Sequence, residues 1–359
     1  MSAQRLNSRV GRSRGFLCQT TKTQRLERSR NDMRFRTTLL LILATCIANP
    51  LTAQRQPRNA PLFAMQSNFW VNLHHFLYVT ARARRGLDAD RRTVTAALAD
   101  TAGLGSLSAA QRSGWDQALE YYGQALAERD ILFDSAMVVV TVRLSHVTGT
   151  TLPASAPLDS AHTRALTSAA AAYRAAWWPR HDAANRTWIA AVEPLLAQHG
   201  DSAAAWESRA FGVAWSAAPV PVDVTAYANW AGAYTTDGPD HVTVSSLNPE
   251  NQGTAAFETL FHEVLHTMDR ELFERYRAAA RAQGKRMLRN PTHPFIFYTA
   301  GEVTRRLFPG HVPFAESGGL WERARDLGAM RPLLQRHWQP WLDGQLTMEE
   351  ALRRIATEL

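Results

Sequence analysis

Cysteine is almost absent from this sequence, since Cys18 and Cys46 are its only two and both lie in the first 50 residues. A secreted chain that starts after them has no disulfide, and it must be stabilised by packing of its core. Internal repeats and low-complexity linkers are also lacking. The roughly 300 residues that follow are enough for one large domain or two closely packed lobes.

A surplus of charge is also missing once the beginning of the chain is set aside. The formal net charge is +8, but residues 1–36 contain ten of the 40 Lys and Arg residues and only Glu27 and Asp32 as acidic residues. The remainder has 30 basic and 30 acidic residues. A neutral chain offers no phosphate-binding face, so we expect no nucleic acid as a partner.

The one apolar run near the beginning is too short to anchor the chain in a membrane. Residues 37–48 form an apolar stretch of about a dozen residues, which follows the basic segment 33–36. Pro50 breaks the stretch, and Ala53 is a small residue suited to cleavage. We predict a signal peptide and a mature chain that begins near Gln54, secreted or periplasmic and without a stable membrane anchor.

Two details of this leader stay open at the level of sequence. Residues 1–32 are either an extended basic region of the signal or a stretch upstream of a true start at Met33, instead of Met1. Attachment of a lipid at Cys46 is the alternative to a free mature protein, although Thr45 is not the small residue such sites prefer.

The composition and spacing of apolar residues predict an α+β fold that is mainly α. Ala, Leu, Arg and Glu dominate, and apolar residues recur at three and four positions. Predicted helices follow a first helix near residues 69–80, and they cover about 109–128, 130–147, 160–177 and 181–198. Breaks are expected at 103–105, at 148–157 and at Gly200.

Residues 217–251 differ from the rest, because proline and glycine separate short β-prone segments. His241–Ser245 alternates and is predicted to be a strand that pairs with the segment 227–235. Helix resumes at about Thr254. We therefore predict a helical lobe at 54–215 and a second domain at 216–359, with a small β-sheet before its main helix.

The main motif is His262-Glu263-Val264-Leu265-His266, a histidine pair at helical spacing with a glutamate next to the first histidine. One turn of helix brings both imidazoles to the same face, where they can bind one metal ion. Zinc accepts such imidazoles and keeps one position for water, and Glu263 could act as the base that takes the proton of that water. The surrounding helix is strongly apolar, so three buried polar groups without a role would be costly.

With this motif and the strand before it, the region from about 225 to 307 resembles the zincin metallopeptidases. The resemblance implies a zincin-like catalytic domain in which the strand before the motif lies along the cleft and pairs with an extended substrate. Val242 and Val244 would then contact the substrate.

The same resemblance suggests which residue completes the metal site. The metzincin pattern is excluded, because the residues after His266 do not supply its glycine and third histidine. The gluzincin pattern takes a glutamate from a later helix, and it implies Glu302 as the third ligand. The alternative is that Glu302 is a surface residue paired with Arg305 or Arg306.

Five further residues are candidates for supporting roles. Asp269 could orient His266 from behind, it could bind the metal itself, or it could be a solvated or ion-paired aspartate. Tyr298 could donate a hydrogen bond to the oxyanion during catalysis, or simply pack in the core, and His293 has the same standing. His181 and Asn185 share a helix face and could line the cleft, although packing beside an Asp182 cap is the simpler interpretation.

Taken together, the sequence predicts an exported zinc-dependent hydrolase of the metallopeptidase type, in which an activated water attacks a peptide or amide bond. Its partner would be a peptide or another acyl substrate. Two alternatives stay open: a zincin-like module that binds without turnover, and a zinc hydrolase of a non-peptide amide or ester. The substrate depends on the shape of the pocket, which the sequence does not give.

Overall fold

The computed structural model describes residues 60–88, 90–153, 158–236, 240–288 and 290–359. In these residues the fold is mainly helical with one small mixed sheet, which confirms the predicted α+β class. None of the described helices has the length and apolar character needed to cross a membrane. The predicted signal peptide and the possible lipid attachment at Cys46 lie outside the described residues.

Helices make up the described chain up to residue 211, after a short strand β1 at Phe63–Gln66. They are α1 (Phe69–Arg84), α2 (Arg92–Ala99), α3 (Ala109–Tyr121), α4 (Ser135–Ser145), α5 (Ser160–Ala176) and α6 (Trp178–Phe211). Helix α3 continues as a π-helical turn at Tyr122–Leu126, so it ends close to its predicted limit.

Helix α6 is longer than predicted, because it continues through Gly200. A Cβ added to this glycine would lie 2.8 Å from Leu62 Cδ1, the residue before β1. Gly200 therefore allows close packing of the chain entering the sheet against α6. The predicted break was wrong because glycine can mark a close contact as well as a helix end.

The sheet consists of four strands in the order β1-β2-β4-β3. Strands β2 (Val220–Thr225), β3 (Ala233–Thr236) and β4 (His241–Ser245) come from the segment predicted to form it. Strand β4 pairs with β3, as predicted, and the pairing is antiparallel; β4 also pairs in parallel with β2. Strand β1 was not predicted, and it joins the sheet by pairing in parallel with β2.

The two faces of the sheet have different chemistry. Valines of β2 and β4, such as Val222 and Val242, belong to the same apolar cluster as the helix that follows the sheet. Alternate residues such as Asp223 and Thr243 are polar and buried. His75 of α1 bonds to the hydroxyl of Tyr234 on this polar face, so α1 covers it.

The rest of the chain is helical again. It comprises α7 (Thr254–Ala282), α8 (His293–Leu307), α9 (Phe314–Ser317), α10 (Leu320–Arg323), α11 (Arg325–Leu333), α12 (Gln339–Leu342) and α13 (Met348–Glu358). Close packing around α8 depends on Gly301, where a Cβ would lie 2.6 Å from Pro313 and 3.3 Å from Glu258 of α7.

Buried apolar residues form two clusters. One contains α1 to α5. The other contains the sheet, most of α6, and the helices from α7 onward. Strand β1 and helix α6 fall in the predicted lobe 54–215, yet both pack with the cluster that carries the sheet.

Candidate metal centre

Helix α7 presents the predicted histidine pair. The ring centroids of His262 and His266 lie 5.2 Å apart, as expected for residues one turn apart on one face. Apolar neighbours on α7, among them Phe261, Val264 and Leu265, are buried in the core. Packing of these residues fixes α7 in the core, so its two imidazoles are held in defined positions on one face of the helix.

A third histidine completes the group. His293 is the first residue of α8, and its ring centroid lies 5.5 Å from that of His262 and 5.1 Å from that of His266. One ligand nitrogen from each of the three histidines lies within 4.8 Å of the others. Three such nitrogens can hold one metal ion.

Burial keeps these histidines in the form that binds metals. Desolvation is the main cause that lowers the pKa of each: that of His262 well below its usual range, that of His266 to about 3 and that of His293 to about 4. The neighbouring imidazoles lower the pKa of His262 and His266 further. All three are neutral at neutral pH, so no proton has to be removed before a metal binds.

An aromatic wall covers one side of the group. The ring of Phe297 lies 4.4 Å from that of His262 and is stacked on His293 at 4.5 Å. Phe314 stacks on Phe297 in turn, with centroids 6.1 Å apart. These rings reduce the access of water and fix the orientation of two imidazoles.

Glu263 lies beside the group but is held by the sheet. The Thr235 hydroxyl lies 2.8 Å from Glu263 Oε2 and 2.8 Å from the Glu263 backbone oxygen. Burial raises the pKa of Glu263 to about 7, and the hydrogen bond from Thr235 opposes this rise. A carboxylate with a pKa near neutrality can both take up and return a proton.

Asp269 contacts the other ligand-bearing helix. Its Oδ2 accepts a hydrogen bond of 2.7 Å from the hydroxyl of Thr292, the residue before His293. Thr292 is the N-cap of α8, and its side chain makes no capping bond there. The predicted support of the site by Asp269 thus takes another form: it fixes the start of α8, from which His293 projects.

Glu302, the predicted third ligand, does not join the three histidines. It lies nine positions after His293 on α8, which corresponds to about 13.5 Å along a helix. Its carboxylate accepts a hydrogen bond from Arg305, the pairing that the alternative interpretation gave. Among the described residues, His293 occupies the place in the cluster that the gluzincin resemblance gave to Glu302.

Tyr298 is also engaged away from the histidines. Its hydroxyl donates a hydrogen bond of 2.9 Å to Gln339 Oε1. Burial is the main cause that raises its pKa, and the charge of Glu302 adds to the rise. This hydroxyl therefore belongs to the packing of α8 on α12. The structure does not bring it to the candidate metal-binding group, which consists of His262, His266 and His293.

His181 and Asn185 are buried in polar networks instead of lining a cleft. His181 is bonded to Asp100 and to the Tyr173 hydroxyl, at 3.0 Å each. Asn185 donates to Asn72 at 3.0 Å and accepts from Ser246 at 2.6 Å. Both side chains are 0% exposed, so these partners use the groups that were predicted to meet substrate.

Val242 and Val244 are not available to an extended substrate either. Both side chains are fully buried, and β4 is an interior strand, paired with β2 and β3. Its backbone groups therefore have partners on both sides. The strand at the edge of the described sheet, next to α7, is β3 with Thr235.

The chain matches no protein-family model, and no curated protein or solved structure is significantly similar to it. A metal site is therefore supported by the geometry of these residues alone.

One feature of the sequence marks His293: a histidine directly before Pro294, where a helix start was expected, 27 positions after His266.

Proposed function

We propose that this protein is a zinc-dependent hydrolase that cleaves peptide or amide bonds, and that it acts outside the cytoplasm after removal of its leader. The observation that carries the proposal is the convergence of three neutral imidazoles beside a buried carboxylate. Export is supported by the sequence of residues 33–53 alone.

The donor set fits zinc. His262, His266 and His293 would supply three nitrogen ligands and leave a fourth, open position, the arrangement of catalytic zinc sites. Neutral imidazoles also suit other transition metals, so the identity of the ion is a matter for direct measurement. Phe297 would hold the rings of His262 and His293 in place.

The bound zinc and Glu263 would have different roles in the reaction. When bound, zinc would act as a Lewis acid that makes water a nucleophile near neutral pH. Glu263 would take the proton from the attacking water and pass it to the leaving amine. Burial of Glu263 would keep bulk water away from this transfer. In this scheme Tyr298 has no role, because its hydroxyl is bonded to Gln339.

Metal analysis and cleavage assays on the purified protein test the proposal together. We expect one zinc per chain, and turnover of some members of a quenched-fluorescent peptide library. Glu263→Gln should keep the zinc and lose at least about a hundredfold in turnover, since it retains the shape of the side chain but not the base. Glu271→Gln is the matched control, because Glu271 lies on the same helix and pairs with Arg275 at the surface.

Three outcomes would contradict the proposal. If the purified protein binds no zinc, it is not a zinc-dependent hydrolase. A protein that binds zinc but cleaves neither peptides nor a panel of acyl esters and amides is a binding module. Loss of zinc in Glu263→Gln would show that this carboxylate is a ligand, and the proposed division of roles would then be wrong.

A further inference from the structure

Thr235 lies outside α7 and α8 and makes a direct hydrogen bond to the proposed base. It lies on strand β3, in register with Val242 of β4. Its hydroxyl is 2.8 Å from both the backbone oxygen and Oε2 of Glu263. The antiparallel ladder with β4 fixes the strand, so this hydroxyl is presented from a rigid element.

Burial makes this contact important for the Glu263 side chain. Glu263 is only 6% exposed, and within the described part of the chain no other side chain donates a hydrogen bond to its carboxylate. A threonine hydroxyl has one proton to donate, and a buried carboxylate oxygen without a donor is costly. Thr235 thus selects the orientation in which Oε2 faces the sheet.

We infer that Thr235 is a positioning residue that holds the Glu263 carboxylate so that Oε1 stays available for proton transfer. This inference rests on the proposed function. It gives the edge strand a part in the reaction through one side chain, independent of any pairing between the strand and substrate. Small displacements of a catalytic group can reduce rates by up to about a hundredfold.

Three substitutions separate positioning from packing. Thr235→Val removes the hydroxyl and keeps the shape, whereas Thr235→Ser keeps the hydroxyl. Thr236→Val is the matched control, because Thr236 is the next residue of β3 and is also buried, with its hydroxyl bonded to the His241 backbone oxygen at 3.4 Å. Each variant would be assayed for zinc content, thermal stability, kcat and KM on the peptide that wild type cleaves fastest.

We expect Thr235→Val to keep one zinc and to lose about tenfold or more in kcat with KM within about twofold. Thr235→Ser should restore most of kcat, and Thr236→Val should match wild type. A readout without turnover is the affinity of the zinc-loaded protein for acetohydroxamate, which gives up a proton on chelation. That affinity should fall about tenfold in Thr235→Val alone.

The outcomes distinguish this inference from the proposed function. If Thr235→Val equals Thr236→Val in kcat and in acetohydroxamate affinity, Thr235 only packs, and the inference is overturned while the hydrolase proposal stands. If Thr235→Ser fails to restore kcat, the hydroxyl is not the group that matters. If wild type binds no zinc, the proposed function fails, and the role of Thr235 fails with it.

Discussion

Two groups of histidines in this protein have different partners. In the described residues, the buried histidines outside the metal-binding group each bond to a tyrosine or a carboxylate, and they are His74, His75, His162, His181, His241, His311 and His337. Those of the metal-binding group face one another. No tyrosine or carboxylate of the described chain bonds to them.

This difference separates histidines that bond to a tyrosine or a carboxylate from histidines that lie close enough to one another to hold a metal ion. His75 bonds to the Val71 backbone oxygen and to the Tyr234 hydroxyl at 2.7 Å each, so both of its nitrogens have partners inside the protein. His262 and His266 have each other and His293 as polar neighbours, and adjacent imidazoles disfavour protonation. One metal ion can bind all three at once.

Loss of the proposed third ligand should give the largest effect and test the comparison most directly. His293→Ala is expected to weaken zinc binding by more than the roughly 10- to 100-fold that loss of an outer partner costs. Glu302→Gln is the control on the same helix, and it should leave the affinity for zinc unchanged, as measured by competition with a chelator. The reverse result would restore the gluzincin-type ligand set that the sequence suggested.

Substitution of a buried histidine outside the metal-binding group should change the stability of the fold and leave metal binding unchanged. Burial lowers the pKa of His75 to about 4, against about 6.5 in the unfolded chain. Between these values the unfolded chain binds the additional proton, so stability is lost as pH falls from 6.5 towards 4. From pH 7 to pH 5 this residue should cost about 2 kcal/mol.

Urea unfolding of wild type and His75→Gln at the two pH values measures this effect. The loss of unfolding free energy between pH 7 and pH 5 should be smaller by about 2 kcal/mol in His75→Gln, which should still bind one zinc. An unchanged pH dependence would mean that His75 is not buried as a neutral group. If His75→Gln loses zinc, His75 also supports the metal site, and the two groups of histidines do not have separate roles.

The smallest effect is expected at Tyr298, which the sequence made a candidate for catalysis. Tyr298→Phe removes the hydroxyl that is bonded to Gln339, and it should change kcat by less than about twofold with a stability loss of about 1 kcal/mol. Steady-state kinetics and thermal unfolding measure both. A tenfold fall in kcat would return Tyr298 to the site as an oxyanion donor.

The sequence was informative where local periodicity determines the outcome. His262, Glu263 and His266 need only one turn of helix to meet, and β4 needs only alternation and a nearby partner. The role of His293 was not predicted, because it depends on how α8 packs on α7 across a long connection. Glu302 was chosen by resemblance, and its spacing on α8 carries it away from the imidazoles.

Two other differences have the same origin. Strand β1 is four residues long and exists because β2 offers a partner more than 150 positions later in the chain. His181 and Asn185 share a helix face, as predicted, but that face meets Asp100, Asn72 and Ser246, so it is internal. Partners that are distant in sequence decide whether a polar face is a cleft or a core.

The position of His293 at the first turn of α8 has a mechanical consequence. A metal ion held by His266 and His293 would cross-link two points 27 positions apart, and closing a loop of this size stabilises a chain by roughly 3–4 kcal/mol. The chain beyond Cys46 has no cysteine that could form a disulfide cross-link instead. The ion would then be a reversible cross-link between α7 and α8. Calorimetric unfolding with and without a chelator would measure the stability that it adds.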